Sequence, residues 1–148
     1  MTASPLEPGN SPGFLLWRVS LRWQRLMRET LRPIGLTHVQ FVLLASAWWL
    51  GSTQQQAPTQ RELADHAGTD PMMTSQVLRT LEESSLVERD TDEEDARVRR
   101  VSVTKRGAVL AEQAIRVVES ADAGFFSGTL DAPLLEVLRL LAHRPLSG

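Results

Sequence analysis

Apolar residues recur along the first part of the chain at spacings of three and four, the period of a helix with one buried stripe. Over residues 14–31, Leu16, Val19, Trp23, Leu26, Met27 and Thr30 mark that stripe with no Gly or Pro between them, which predicts a long amphipathic helix. Pro33 and Gly35 end it. Thr37 and Gln40 then have the spacing of a capping box, whose two side chains each satisfy an orphan amide of the helix start. A second helix is predicted to about Leu50, with a loop over 51–58. Thr59 and Glu62 repeat the box ahead of a short helix to Ala67, stopped by Gly68. Asp70 and Pro71 supply the N-cap and first-turn proline of a fourth helix over 71–84. Thr74, Val77, Leu78 and Leu81 share its apolar face, while Met72, Ser75, Gln76, Arg79 and Thr80 face away.

From Leu86 the period changes. Segments 86–89 and 101–104 are short and alternating or β-branched, separated by the highly charged stretch 90–100, which predicts a two-stranded ribbon with an exposed tip. A long helix resumes after Thr104, with Leu110, Ala114, Val117, Val118, Ala121 and Phe125 as its stripe and an end near Ser127 and Gly128. The last helix, capped by Asp131, carries Leu134, Leu135, Val137, Leu138, Leu140 and Leu141 around most of its circumference. One core face cannot bury them all, so a second surface is expected to be covered elsewhere. A second copy of the chain is the simplest cover, with the first helix contributing to the same interface; a more enclosed position in a monomer is the alternative.

Composition narrows the chemistry. At 148 residues the chain has the length of one domain, and a net charge of −2 announces neither nucleic acid nor an acidic tail. The absence of cysteine excludes disulfides, iron–sulfur clusters, thiolate zinc sites and thiol redox switches. Residues 1–13 are polar and rich in Pro and Gly, so they read as a flexible leader rather than a signal peptide. The longest apolar run, 41–50, is about half of the roughly 20 residues that span a bilayer. A cytoplasmic protein with no membrane partner is expected. His38, His66 and His143 are scattered, and Asp90, Asp92 and Glu94 imitate a calcium loop whose turn glycine is replaced by Asp95. No catalytic residue, metal site or cofactor is implied.

The two short helices carry the informative pattern. Ala64 lets the second cross the first closely, Gly68 makes the tight turn, and Leu63, Ala67 and Val77 form the wedge of a helix-turn-helix, although Thr74 stands where an aliphatic residue is usual. Followed by a charged ribbon, this is a winged helix-turn-helix. The fold class expected is mainly α with a small β-wing: a leader over 1–13, a winged helix-turn-helix over 36–104, and a helical dimerisation region over 14–35 and 105–148.

Leu36-Thr-His-Val-Gln-Phe41, Thr59-Gln-Arg-Glu-Leu-Ala64, Thr74 with Ser75, Leu81 and Glu82 on to Leu86 and Val87, and Asp95 with Arg97 through to Gly107 resemble the multiple antibiotic resistance regulator (MarR) family in register from about residue 14 to 143. The resemblance implies dimeric winged-helix transcriptional regulators, usually repressors, that bind pseudo-palindromic operators and often release them on binding a small aromatic anion. The fourth helix would then enter the major groove of double-stranded DNA. Ser75 and Gln76 would bond base edges beside Thr80, Arg79 a guanine or phosphate, and Met72 and Met73 thymine methyl groups. Arg97, oriented by Asp95 as the resemblance implies, would enter the minor groove, and Arg99, Arg100, Lys105 and Arg106 would meet phosphates.

Plainer readings stand beside these. Arg79, Arg99 and Arg100 also read as solvated surface charges. Asp92, Glu93 and Glu94 either face solvent or pair with nearby arginines and hold the wing's shape. All four tryptophans lie in the first two helices, and Trp17, Arg22, His38, Trp48 and Trp49 outline a candidate effector pocket; the alternative is that the tryptophans simply pack in the core and dimer interface. Outside DNA binding, the remaining reading is a winged-helix module that binds a protein partner.

Overall fold

The computed structural model describes residues 7–129 and 132–146. Six helices and one antiparallel ribbon follow in the order α1 (Pro12–Leu31), α2 (His38–Thr53), α3 (Gln60–Ala67), α4 (Pro71–Glu83), β1 (Val87–Thr91), β2 (Arg99–Val103), α5 (Lys105–Phe125) and α6 (Ala132–His143), with short 3-10 turns at Pro8–Asn10 and Arg32–Ile34. This is the winged helix-turn-helix expected from the pattern.

α2 is the central helix, packed against α1, α3, α4, β2 and α5. Its Leu43, Leu44 and Ala47 meet Met27 and Leu31 of α1, Leu63 of α3, Leu78 and Leu81 of α4, Val87 and Val101 of the wing, and Ala111, Ala114 and Val118 of α5 in one continuous core. Such a core fixes the short helices and the wing to the same rigid base.

The boundaries differ from the predicted ones in ways with local causes. α1 starts two residues early because the Ser11 hydroxyl caps the Phe14 amide and Pro12 occupies the first turn. The stretch read as a leader over 1–13 thus contains a 3-10 turn at Pro8–Asn10 and the first residues of α1, and 1–6 lie outside the described residues. α2 continues through Gly51 to Thr53, with the Gln54 amide still closing on the Leu50 carbonyl at 3.0 Å, and the Ser52 and Thr53 hydroxyls add bonds to the Trp49 carbonyl at 2.9 and 3.0 Å in this last turn. The ribbon is longer than predicted, since Asp90 pairs with Arg100 and Thr91 with Arg99; opposite charges across a ladder favour pairing. The capping box at Thr37 and Gln40 forms in full, whereas Thr59 supplies only its own half. The Asp131 cap lies outside the described residues.

Among the described residues, α6 and the start of α1 leave apolar surface uncovered. α6 packs extensively against no other described element, and its Val137, Leu138, Leu140 and Leu141 are 42–57% exposed. Phe14, Leu15, Leu16 and Trp17 make the start of α1 similarly apolar and exposed. Among the described residues no single helix is long and apolar enough to cross a membrane; Pro12–Ile34 and His38–Thr53 meet that length and composition only together, across a 74° bend.

Candidate nucleic-acid interface

α3 and α4 are joined by a tight turn in which Gly68 adopts φ +70°, a left-handed conformation that glycine takes without strain. Asp70 caps α4 by accepting from the Met73 amide at 3.0 Å. Thr74, unusual at its position, is 1% exposed. Its hydroxyl lies 2.6 Å from that of Thr69 and donates to the Asp70 carbonyl at 2.8 Å, so a polar group enters the wedge with its hydrogen bonds made inside the turn.

With Thr74, Leu78 and Leu81 turned inward, α4 presents Met72, Met73, Gln76, Arg79 and Thr80 outward, with Ser75 half-buried at the margin. Met72 is 72% exposed, an arrangement that costs solvation unless a partner covers it. All six α4 residues singled out in the sequence thus lie together.

The wing tip is built by carboxylates. Asp92 Oδ2 accepts from the amides of Glu94 and Asp95, both at 3.1 Å, turning the chain. Asp95 Oδ1 then accepts from the Arg97 amide at 3.0 Å and its Nε at 3.2 Å. This leaves the Arg97 side chain 91% exposed yet directionally held. Arg99 is exposed and has no ion pair among the described residues, and Lys105 and Arg106 lie exposed at the start of α5. The acidic run resolves unevenly: Asp92 pairs inward with an arginine, while Glu93 and Glu94 are exposed.

Arg100 departs from its expected role as a phosphate contact. Its Nε donates to Asp92 Oδ1 at 2.6 Å and a terminal nitrogen to the Ala57 carbonyl at 2.7 Å, tying the wing to the α2–α3 loop. That bond holds the Asp92 carboxyl below its usual range. Strand alternation accounts for this: Arg99 and Val101 are neighbours of Arg100 with opposite facing, and the Arg100 face meets the loop.

A second clamp escaped the sequence reading. Arg89, with a side chain only 7% exposed, bonds Glu82 Oε1 of α4 at 3.1 Å and Gln60 Oε1 of α3 at 3.0 Å. Its amide also donates to Glu82 Oε2 at 3.2 Å. The Arg89 hydrogen bond depresses the Glu82 pKa. The available signal was register, since Arg89 is two residues from buried Val87 on the inward face, where a charge needs a partner.

The residues proposed for an effector pocket do not converge. Trp17 and Trp49 are 61% and 54% exposed, and adjacent Trp48 lines a separate cavity of about 340 Å³ between α2 and the wing. Neighbouring residues on a helix point about 100° apart, which separates Trp48 from Trp49; Trp17 sits on the uncovered half of α1, and Arg22 is exposed there. His38 alone of the set lines a cavity of about 550 Å³, with Arg28, Arg32, Gln24 and the 35–39 turn. Beside it, the Trp23 indole donates to Asp122 Oδ1 at 2.8 Å and meets the imidazole edge-on at 5.0 Å. Burial lowers the His38 pKa, against the opposing pull of Asp122 and with help from Arg28.

Comparison with known proteins agrees with this geometry. The MarR family model matches residues 36–98. The chain is 39% identical over 123 residues to the uncharacterized HTH-type transcriptional regulator YdcH of Bacillus subtilis, covering 83% of each chain. It is 35% identical over 111 residues to the HTH-type transcriptional repressor Rv2887 of Mycobacterium tuberculosis, covering 75% of this chain and 76% of the relative. The solved structure of Rv2887 with salicylic acid superposes with a TM-score of 0.61 at 31% identity over 96% of both chains. A mutant of Escherichia coli MarR complexed with operator DNA gives 0.76 at 25% identity, over 98% of this chain and all of that one. An outward polar helix, an aspartate-held wing arginine and these relatives together place the chain in the MarR family of winged helix-turn-helix transcriptional regulators.

Proposed function

We propose that this regulator is a cytoplasmic homodimer that represses by occupying a pseudo-palindromic promoter operator. The observation that carries the reading is the presence on one domain of two unlike exposed readers: the polar face of α4 and the Arg97 guanidinium held out by Asp95. α4 has the length and exposed donors to read base edges in a major groove, and a fixed arginine suits the narrow minor groove beside it. Residues 36–104 act as the DNA-binding part. Residues 14–35 and 105–148 form the dimerisation region, and two copies of α4 read half-sites about one helical turn apart. Base-edge contacts belong to Ser75, Gln76, Arg79 and Thr80, apolar ones to Met72 and Met73, and Arg99 meets phosphate; Arg100 instead stiffens the wing. The E. coli MarR complex with operator DNA supports the mode of binding, and the repressor Rv2887 supports the direction of control.

Release by a small aromatic anion is the second part of the reading. The cavity beside His38 suits it, because Arg28 and Arg32 line the space without ion pairs among the described residues. Salicylic acid bound to Rv2887 supports that ligand class. The function is regulatory rather than enzymatic.

Filter binding with fragments of the source genome tests the reading. Saturable, sequence-selective binding that weakens steeply with salt is expected, because displaced counterions set that slope. No preference over random duplex at low salt overturns it and favours a protein-binding wing. Added salicylate is expected to lower the affinity and change the fluorescence of Trp23; neither change occurring would remove the effector.

A further inference from the structure

Between α3 and the wing runs a groove of about 670 Å³, bounded by Thr59, Arg61, Asp65, Pro71, Arg97 and Arg99. One wall is α3 with Pro71 at the start of α4, and the other is the wing tip, so the groove lies beside the two elements assigned to the major and minor grooves. On a duplex those grooves are separated by a single sugar-phosphate strand, and the first helix of a helix-turn-helix crosses that backbone. Arg61 projects from the exposed face of α3 and, like Arg99, has no ion pair among the described residues. Two exposed guanidiniums lining one groove repel in isolation, and an anion held between them makes the arrangement favourable.

We propose that this groove seats the phosphodiester strand dividing the two DNA grooves, with Arg61 on α3 and Arg99 on the wing as its paired phosphate-binding residues. The inference rests on the DNA-binding reading and adds Arg61 of α3 to the residues that α4 and the wing, Arg99 among them, already supply. Asp65 stands one helical turn from Arg61 on the same rim. Its carboxylate opposes a phosphate at this place, so it weakens the contact. Phosphate contacts carry charge but no base identity, which separates Arg61 in kind from Gln76 or Arg79.

The test uses the full chain and two probes: a duplex enriched from a random-sequence library on the wild-type protein, and a shuffled duplex of equal length. Each phosphate that a cation no longer neutralises takes about 0.9 off the slope of log K against log salt. Arg61→Gln is expected to weaken binding to both duplexes by the same factor and reduce the slope by about one unit per half-site, while Arg61→Lys keeps the wild-type slope. Asp65→Asn is expected to tighten both complexes. An unchanged slope in Arg61→Gln and Arg99→Gln, with Arg97→Ala still weakening binding, overturns the groove assignment and leaves DNA binding intact. A change in the ratio of the two affinities in Arg61→Gln also overturns it, since a base-reading role would then be required. Wild-type protein with no saturable binding to either duplex is a failure of the DNA-binding reading itself.

Discussion

Gly107 lies in the first turn of α5, where a β-carbon would overlap the Leu86 carbonyl oxygen and approach Val103 Cγ1 to 2.9 Å. The obstruction is backbone on one side, which cannot rotate away, so Gly107→Ala is expected to cost about 3 kcal/mol, the upper end of overpacking penalties; a denaturant midpoint unchanged from wild type would refute this. Ser85 presents the opposite case. It follows the Ser84 cap of α4 at φ +61°, where its Cβ is strained, while the Leu86 amide closes back on the Leu81 carbonyl at 2.9 Å. Ser85→Gly is expected to raise stability by about 1 kcal/mol in the same measurement. For function, Arg97→Ala is expected to weaken operator binding by about 1 to 3 kcal/mol with an unchanged melting temperature, and equal affinity would remove the wing from the mechanism. Gly68, Asp70 and the outward face of α4 were legible in the sequence because their causes are local. The partners of Thr74 were not, since a single buried hydroxyl gives no periodic signal and its acceptors are known only once the turn is folded.

At the scale of elements, the wing owes its position to two arginines that turn inward to partners within the protein. Arg89 braces β1 against α3 and α4 through Gln60 and Glu82, and Arg100 braces β2 against the α2–α3 loop through Asp92 and Ala57. Both carboxyls are held below their usual pKa by the arginine hydrogen bonds. A group with a depressed folded pKa stabilises fully above its unfolded value, roughly 4, and loses that contribution as pH falls through the folded one. Acid is therefore expected to loosen the wing first: below about pH 4, amides of Arg89 and Val101 should lose hydrogen-exchange protection before those of α2. In Glu82→Gln with Asp92→Asn this acid step should vanish, and its persistence would assign it to other carboxylates. The ribbon was visible in the sequence as a change of period, but its length was not. Charges at 90–100 resemble loop composition, and only cross-strand pairing shows that Asp90, Thr91, Arg99 and Arg100 belong to the ladder.

At the scale of the molecule, the chain leaves two apolar surfaces uncovered, the start of α1 and most of α6. The circumferential pattern of α6 and the divergence of adjacent Trp48 and Trp49 were legible from sequence, whereas the separation of Trp17 from the α2 residues was not, because proximity along the chain says nothing about how α1 and α2 diverge. A homodimer that joins these surfaces would also hold two copies of α4 at a fixed spacing, making binding of the second half-site intramolecular. Linkage of that kind typically strengthens binding by about 10²- to 10⁴-fold. Replacing Leu140 and Leu141 together by Glu targets side chains 56% and 57% exposed in the single chain, so the fold of the monomer has little to lose. The double variant is expected to sediment as a monomer at micromolar concentration, keep its helical circular dichroism, and bind the operator about 100-fold more weakly or worse, the low end of that linkage, while a duplex carrying one half-site binds both proteins alike. If the variant remains a dimer, α6 is not the interface; if it is a folded monomer with undiminished operator affinity, the two-fold arrangement does not contribute to recognition.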